Sequence, residues 1–186
     1  MRINIALLRG INVGGHNKIK MVELRQLFEM LGFSRVQTYI QSGNVLFESD
    51  ESEQSLIKCI QREIEKVFGF SINVVIRTAA ELEWITKNCP FTEEAVAEAK
   101  LTSEGESLYV SLLQDKPSQD RIDRLGAYKS DNDEYLIEGR EVYLLFQRGV
   151  RNAKLANNLQ RLEVPSTMRN WKTINKLSML AKEMEN

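Results

Sequence analysis

The opening segment Arg2–Leu8 is mainly Ile and Leu, the pattern of a short buried strand, and it stops at the turn-rich stretch Arg9–Gly15. Downstream, Leu24, Leu27, Phe28 and Leu31 recur at the helical period. The spacing predicts a helix over 21–31, with Gly32 just past its end. Two β-rich runs, 35–40 and 45–48, flank Gln41–Asn44 and predict a tight antiparallel hairpin. Ser52 can cap a helix whose inward face is Leu56, Ile57, Ile60, Ile64, Val67 and Phe68, closed by Gly69, and 72–76 follows as a strand. The order is β-α-β-β-α-β, the ferredoxin-like arrangement.

Thr78 with Glu81 forms a capping box for a helix running to about Lys87, where Pro90 ends it, and the acidic, alanine-rich segment 91–105 reads as helical. The pattern then restarts: strand 107–113, a short helix over 117–125, strand 134–137, a turn at Glu138–Arg140, strand 142–146 and a helix over 153–162. Where a last strand is due, Pro165–Met168 is short and leads straight into a helix with Trp171, Ile174, Leu177, Leu180 and Ala181 inward. The expectation is an α+β chain of two tandem ferredoxin-like (βαββαβ) halves, 1–78 and 107–186. The second is truncated or rearranged and carries a C-terminal helix, and 79–106 is a helical connector.

Composition adds little to this picture. With 42% hydrophobic and 27% charged residues, the 186-residue chain has ordinary globular composition. No run approaches the roughly 18 apolar residues of a membrane span, and the start lacks a secretory pattern, so a cytoplasmic protein with no membrane partner is expected. Cys59 and Cys89 lack the spacing of a metal or disulfide framework, so no metal site and no cofactor are expected. Charge is more informative. The net −1 conceals basic ends, six Lys/Arg against two Asp/Glu in 1–45 and eight against three in 147–186, around an acidic middle.

Topology locates the candidate chemistry. In a β-α-β-β-α-β unit the first loop, 9–18, and the hairpin turn, 41–44, emerge at the same edge. Both are rich in Gly, Asn and Ser, and Arg9 and Lys18 add positive charge, which suits an anion. A ten-residue loop is longer than the connection needs, which favours binding over mere turning. Gly10 and Gly15 have the spacing of a P-loop, but His16 and Asn17 stand where Lys and Ser/Thr belong, so the Walker motif fails. The sole histidine, His16, faces Ser42 across this edge in the topology, yet no nucleophile elbow surrounds Ser42. A second concentration lies at Thr167–Thr173, where Asn170 can cap the last helix with Arg169 and Lys172 beside its free N–H groups.

Three segments, Ala6–Gly15, Thr38–Val45 and Thr167–Thr173, resemble a bacterial family of uncharacterised proteins, domain-of-unknown-function family sixteen ninety-seven, over essentially the whole chain. One position departs, Cys89 standing where the family has Asn before Pro90 and Phe91. The resemblance implies a cytoplasmic bacterial protein and carries no reaction, cofactor or catalytic residue. The leading expectation is a binding module for a phosphorylated small molecule or a nucleic-acid segment. Its ligand-binding residues would be Arg9, Asn12, Gly14, Gly15, Lys18, Ser42, Asn44, Arg169 and Asn170. The nucleic-acid version has only Tyr39 and Phe47 as stacking platforms. Two other readings stay open: a metal-independent enzyme acting on a phosphorylated or nucleotide substrate, and a protein-interaction module whose motifs serve folding, in which Arg9 is buried. The sequence specifies neither catalytic residues nor oligomeric state.

Overall fold

In the computed structural model, which describes residues 1–151 and 153–186, β1 (Arg2–Leu8) presents Ile3, Ile5 and Leu7 on one face and Ala6 and Leu8 on the other. All five are buried, which places β1 at the centre of a sheet. α1 (Met21–Met30) leads to β2 (Ser34–Tyr39), which turns into β3 (Asn44–Ser49); α2 (Glu53–Phe68) leads to β4 (Val74–Thr78). All pairings are antiparallel, and the strand order is β2-β3-β1-β4. Leu24, Leu27 and Phe28 of α1 and Leu56, Ile60 and Ile64 of α2 share a core cluster with Ala6, Leu8, Val45, Phe47, Val74 and Ile76. Phe28, Phe33 and Phe47 interlock there, with ring centroids 4.6 to 5.9 Å apart.

α3 (Ala79–Lys87) and α4 (Glu93–Thr102) precede a second sheet. Its central strand, β5 (Leu108–Leu113), is followed by α5 (Gln119–Gly126), β6 (Asp133–Glu138) and β7 (Glu141–Phe146). After β7 come α6 (Lys154–Asn157), a 3-10 turn (Leu159–Leu162), β8 (Ser166–Asn170) and α7 (Trp171–Glu185). The order is β6-β7-β5-β8, again antiparallel. The protein is thus α+β, with two four-stranded antiparallel sheets and seven α-helices among the described residues. Two compact units result, one formed by Met1–Trp84 with Asn175–Asn186, the other by Ile85–Ile174.

Corresponding residues of the two sheets do the same work. The Leu8 N–H donates to the Gly43 carbonyl at 2.8 Å, and the Leu113 N–H to that of Arg140 at 2.9 Å. The Arg9 N–H donates to Asn73 and the Gln114 N–H to Pro165, each at 2.9 Å. In register, Ile5 faces Arg77 and Val110 faces Arg169. Both arginines are buried, and each donates from Nη1 to the carbonyl of the preceding residue, Ile76 at 2.8 Å and Met168 at 2.9 Å. Each is followed by a helix cap. The Thr78 hydroxyl accepts from the Glu81 N–H while the Glu81 carboxylate accepts from that of Thr78, and the Asn170 Oδ1 accepts from the Thr173 N–H at 2.8 Å.

Four expectations are corrected. The second sheet has its last strand: Ser166–Asn170 pairs with β5, although its polar composition hides the strand pattern. The helix expected over 153–162 is broken at Asn158, whose side chain donates to the Lys154 carbonyl and accepts from Arg161 Nε, competing with the helical ladder. The strand expected over 72–76 is displaced to Val74–Thr78, and Ile72 is buried just outside it. Val67, expected on the inward face of α2, is half-exposed.

The two caps close the last strand of each sheet onto the helix that follows it. Thr78→Ala and Asn170→Ala are each expected to lower unfolding free energy by about 1 kcal/mol, measured by urea denaturation. Losses near zero in both would mean that packing alone holds these helix starts.

Candidate functional site

The segment between β1 and α1 is shaped by left-handed residues. Gly14 (φ 58°) and Gly15 (φ 80°) form a two-residue turn in which the His16 N–H donates to the Val13 carbonyl at 3.0 Å. Two consecutive positive φ angles make it a primed turn, the kind glycine adopts without steric penalty. Asn12 (φ 55°) and Asn17 (φ 48°) flank it, with the Asn12 N–H donating to the Asn17 carbonyl at 3.1 Å and Asn17 Nδ2 to Gly10 at 3.2 Å.

Asn12 ties this loop to the hairpin. Its Nδ2 donates to the Ile19 and Gln41 carbonyls, both at 2.9 Å, and its Oδ1 accepts from the Ile19 N–H at 2.9 Å. The hairpin side of the junction is equally close: a Cβ on Gly43 would stand 2.6 Å from Ile11 Cδ1 and 3.0 Å from Leu8 Cβ. The loop and the hairpin turn therefore meet at one edge, as the topology requires.

Between them lies a cleft of about 480 Å³ lined by Asn12, Gly15, Lys18, Ile19, Lys20, Glu23 and Gln41. Lys18 is exposed, and Lys20 Nζ sits 3.8 Å from the Glu23 carboxylate. Lys20 is also the N-cap of α1, and no side chain caps that helix start. Its first-turn N–H groups accordingly donate to no N-cap side chain, and the positive end of its dipole lies beside Lys20. Lys18 and Lys20 put positive charge beside this helix start, with the Glu23 carboxylate opposing it.

Of the nine expected ligand residues, the cleft brings together Asn12, Gly15 and Lys18. Asn12 serves as the clamp, both its amide hydrogens being committed to main-chain carbonyls. Gly14 is exposed at the turn apex, and Arg9 is exposed, contrary to the folding-only reading that requires it buried. Asn44 is fully buried; its Nδ2 donates to the Tyr39 carbonyl at 2.9 Å and the Ser42 Oγ at 3.0 Å, so these two residues brace the hairpin. Arg169 and Asn170 lie in the second unit. Arg169 is 8% exposed, not displayed beside the helix start, and its Nη1 donates to Thr167 Oγ1 at 2.7 Å. Burial pulls its pKa down to about 10, which leaves it charged at neutral pH. Phe47 is fully buried in the aromatic trio and offers no stacking platform.

Ile19, Lys20, Glu23 and Gln41 are the cleft residues that sequence reasoning missed. The available signal was a capping residue missing before Met21, a position held by Lys20. Ile40 adds a further anomaly: a β-branched residue at φ 50° and 46% exposed. Left-handed backbone costs such a residue about 1–2 kcal/mol.

Two other clefts are built from residues engaged in holding the fold. One, of about 620 Å³, includes Asn4, Ser52, Thr78 and Glu81, where Ser52 and Thr78 cap helices and Asn4 bonds the Arg2 and Ser49 carbonyls. The other, of about 580 Å³ in the second unit, is lined by residues of both charges, including Asp133 at the start of β6, which accepts from Ser130 Oγ. Among the described residues, no group of three His, Cys, Asp or Glu side chains could hold a metal ion. No helix among them is long and apolar enough to cross a membrane.

A family model described as a protein of unknown function (DUF1697) matches residues 1–143. A solved structure of a conserved bacterial protein from Streptococcus pneumoniae is similar in fold, with a TM-score of 0.73 and 24% identity over 97% of this chain and 98% of that one. Comparison with proteins of curated function finds no match.

Asn12→Ala removes three hydrogen bonds and is expected to lower stability by about 2 kcal/mol. Gly43→Ala is expected to cost at least about 2 kcal/mol, because its Cβ is both strained and obstructed. Ile40→Asn is expected to change stability by less than about 0.5 kcal/mol, relief of strain offsetting the lost contact. Denaturant unfolding of the three variants checks the ranking; a large loss in Ile40→Asn would show that Ile40 serves packing.

Proposed function

The chain belongs to the family of proteins of unknown function DUF1697, whose description assigns no reaction, and from that premise we propose a binding module for an anionic, phosphorylated small molecule. Its ligand sits at the loop edge of the first sheet. The observation that carries this reading is the cleft itself, where Lys18 and Lys20 stand at the uncapped start of α1. Exposed Arg9 and the Gly14-Gly15 turn extend the same edge.

Comparison of the two sheets supports it. We read the chain as two ferredoxin-like halves, 1–78 and 107–186, joined by a connector over 79–106, because the strand orders and the equivalent main-chain bonds coincide. The central strand of the second sheet reaches its helix through Gln114–Ser118, whereas the first requires residues 9–20 for the same step. The added length of that loop, with its left-handed Gly10, Asn12, Gly14, Gly15 and Asn17, has no counterpart in Gln114–Ser118. A folding requirement common to both copies would not produce that asymmetry. A nucleic-acid segment is less well supported, since Phe47 is unavailable for stacking. The protein is placed in the cytoplasm on the same reading.

Thermal unfolding against phosphate, sugar phosphates, nucleotides and short RNAs tests the proposal. A ligand at about 100 times its dissociation constant is expected to raise the melting temperature by roughly 5–10 °C. The double variant Lys18→Glu/Lys20→Glu is expected to keep its own melting temperature and lose that shift, and the wild-type shift is expected to shrink with added salt. No response to any phosphorylated compound would remove the proposal.

A further inference from the structure

The geometry points to a second ligand site, at the other end of β1, for a small organic amine in its ammonium form. It is the cleft of about 620 Å³ whose lining includes Arg2, Asn4, Asp50, Glu53, Ile76 and Glu81. It shares no lining residue with the loop-edge cleft, so it stands or falls independently of the anion reading. Most of its residues hold the fold, but Asn4 keeps one atom unspent. Asn4 is 1% exposed, and its Nδ2 donates to the Arg2 and Ser49 carbonyls, both at 3.0 Å. Only the NH2 side of the amide can serve two carbonyls, which fixes the carboxamide and turns Oδ1 away from them. That oxygen takes no hydrogen bond from any described residue and is not sealed in; it opens on the cleft.

The second sheet shows that the fold does not need this arrangement. Ile5 and Val110 are equivalent, which matches Asn4 with Tyr109; Gly43 and Arg140 are equivalent, which matches Ser49 with Phe146. Tyr109 and Phe146 close their end of the sheet as an edge-on aromatic pair, ring centroids 5.8 Å apart, within the apolar cluster of the second unit. An apolar pair is the less costly way to close a sheet end, since a buried amide must have its polar atoms satisfied. The first unit instead keeps Asn4 and Ser49, both buried, with an acceptor facing the cleft.

The lining decides which donor completes that acceptor. The carboxylates of Asp50, Glu53 and Glu81 stand against the guanidinium of Arg2, whose Nη2 donates to the Glu51 carbonyl at 3.0 Å. A charged donor gains more there than a neutral one. Asp50 already draws an ammonium group, the terminal nitrogen of Met1, 3.8 Å from its Oδ1. Among the described residues no three acidic, His or Cys side chains could hold a metal ion, so a ligand with hydrogen-bond donors fits where a bare cation does not. An ammonium group offers three N–H donors, enough for Asn4 Oδ1 and for carboxylates together. Buried Ile76 supplies an apolar wall for a short alkyl chain, and the volume is that of a small-molecule site.

Titration of the full chain with n-butylamine, 1,4-diaminobutane, n-butanol, tetramethylammonium and magnesium chloride, followed by calorimetry and by the Asn4 side-chain amide resonances, decides it. The two amines are expected to bind and to shift the Asn4 signals. Butanol, which lacks the charge, and tetramethylammonium, which lacks N–H donors, are expected to bind at least about tenfold more weakly. Asn4→Leu is expected to lower amine affinity about tenfold and Asp50→Asn about threefold. Asp50 is exposed, so Asp50→Asn keeps the fold and reports even where Asn4→Leu does not fold. The double variant Lys18→Glu/Lys20→Glu is expected to bind amines as wild type does. Tetramethylammonium or magnesium binding as tightly as n-butylamine would overturn the inference, since the cleft would then collect positive charge alone. Absence of binding by both amines, or amine affinity unchanged in both Asn4→Leu and Asp50→Asn, would overturn it equally.

Discussion

The carboxamide of Asn12 holds the loop edge of the first sheet in shape, because its Nδ2 reaches the Ile19 carbonyl within its own loop and the Gln41 carbonyl across in the hairpin, while its Oδ1 takes the Ile19 N–H. That clamp ties the segment between β1 and α1 to the β2–β3 turn. The junction also depends on Gly43, where the hairpin comes so near Ile11 and Leu8 that no Cβ fits. Together they bring Lys18 and Lys20, supplied by the loop, and Gln41, supplied by the hairpin, to one cleft.

This edge concentrates conformations that residues other than glycine adopt at a cost. Asn12, Asn17 and Ile40 are left-handed there, along with Gly10, Gly14, Gly15 and Gly43. The sheet beneath tolerates them because it is firmly built: β1 is buried on both faces, and Phe28, Phe33 and Phe47 pack as an aromatic trio against it. For Asn12 the strain is offset locally by three hydrogen bonds. Ile40 adopts the same left-handed backbone and is 46% exposed.

The second sheet shows the same framework without the elaboration. Its strand order, its Leu113 to Arg140 bond and its buried Arg169 repeat features of the first, yet the loop after β5 is short. Arginine at the equivalent positions 77 and 169, each preceding a helix cap, belongs to the common framework. That explains why the motif around Arg169 stands out in the sequence although the residue is buried.

The sequence by itself determined β1, the two long helices of the first unit and the hairpin, because period and turn chemistry are local properties: Leu24, Leu27 and Phe28 mark one face of α1, and Ser52 and Gly69 bound α2. It also determined that the first loop and the hairpin turn share an edge, since strand direction follows from element order. Where signals were weak, local reading failed. Ser166–Asn170 is a strand because β5 offers it a partner, not because its polar residues prefer one, and Asn158 breaks a helix that the apolar spacing suggested. Only the tertiary structure decided which polar residues are spent and which are presented. Asn44 and Arg169 are drawn into buried networks, Asn12 becomes a clamp, and Lys20 and Gln41 line the cleft, because each assignment depends on neighbours far away in the chain.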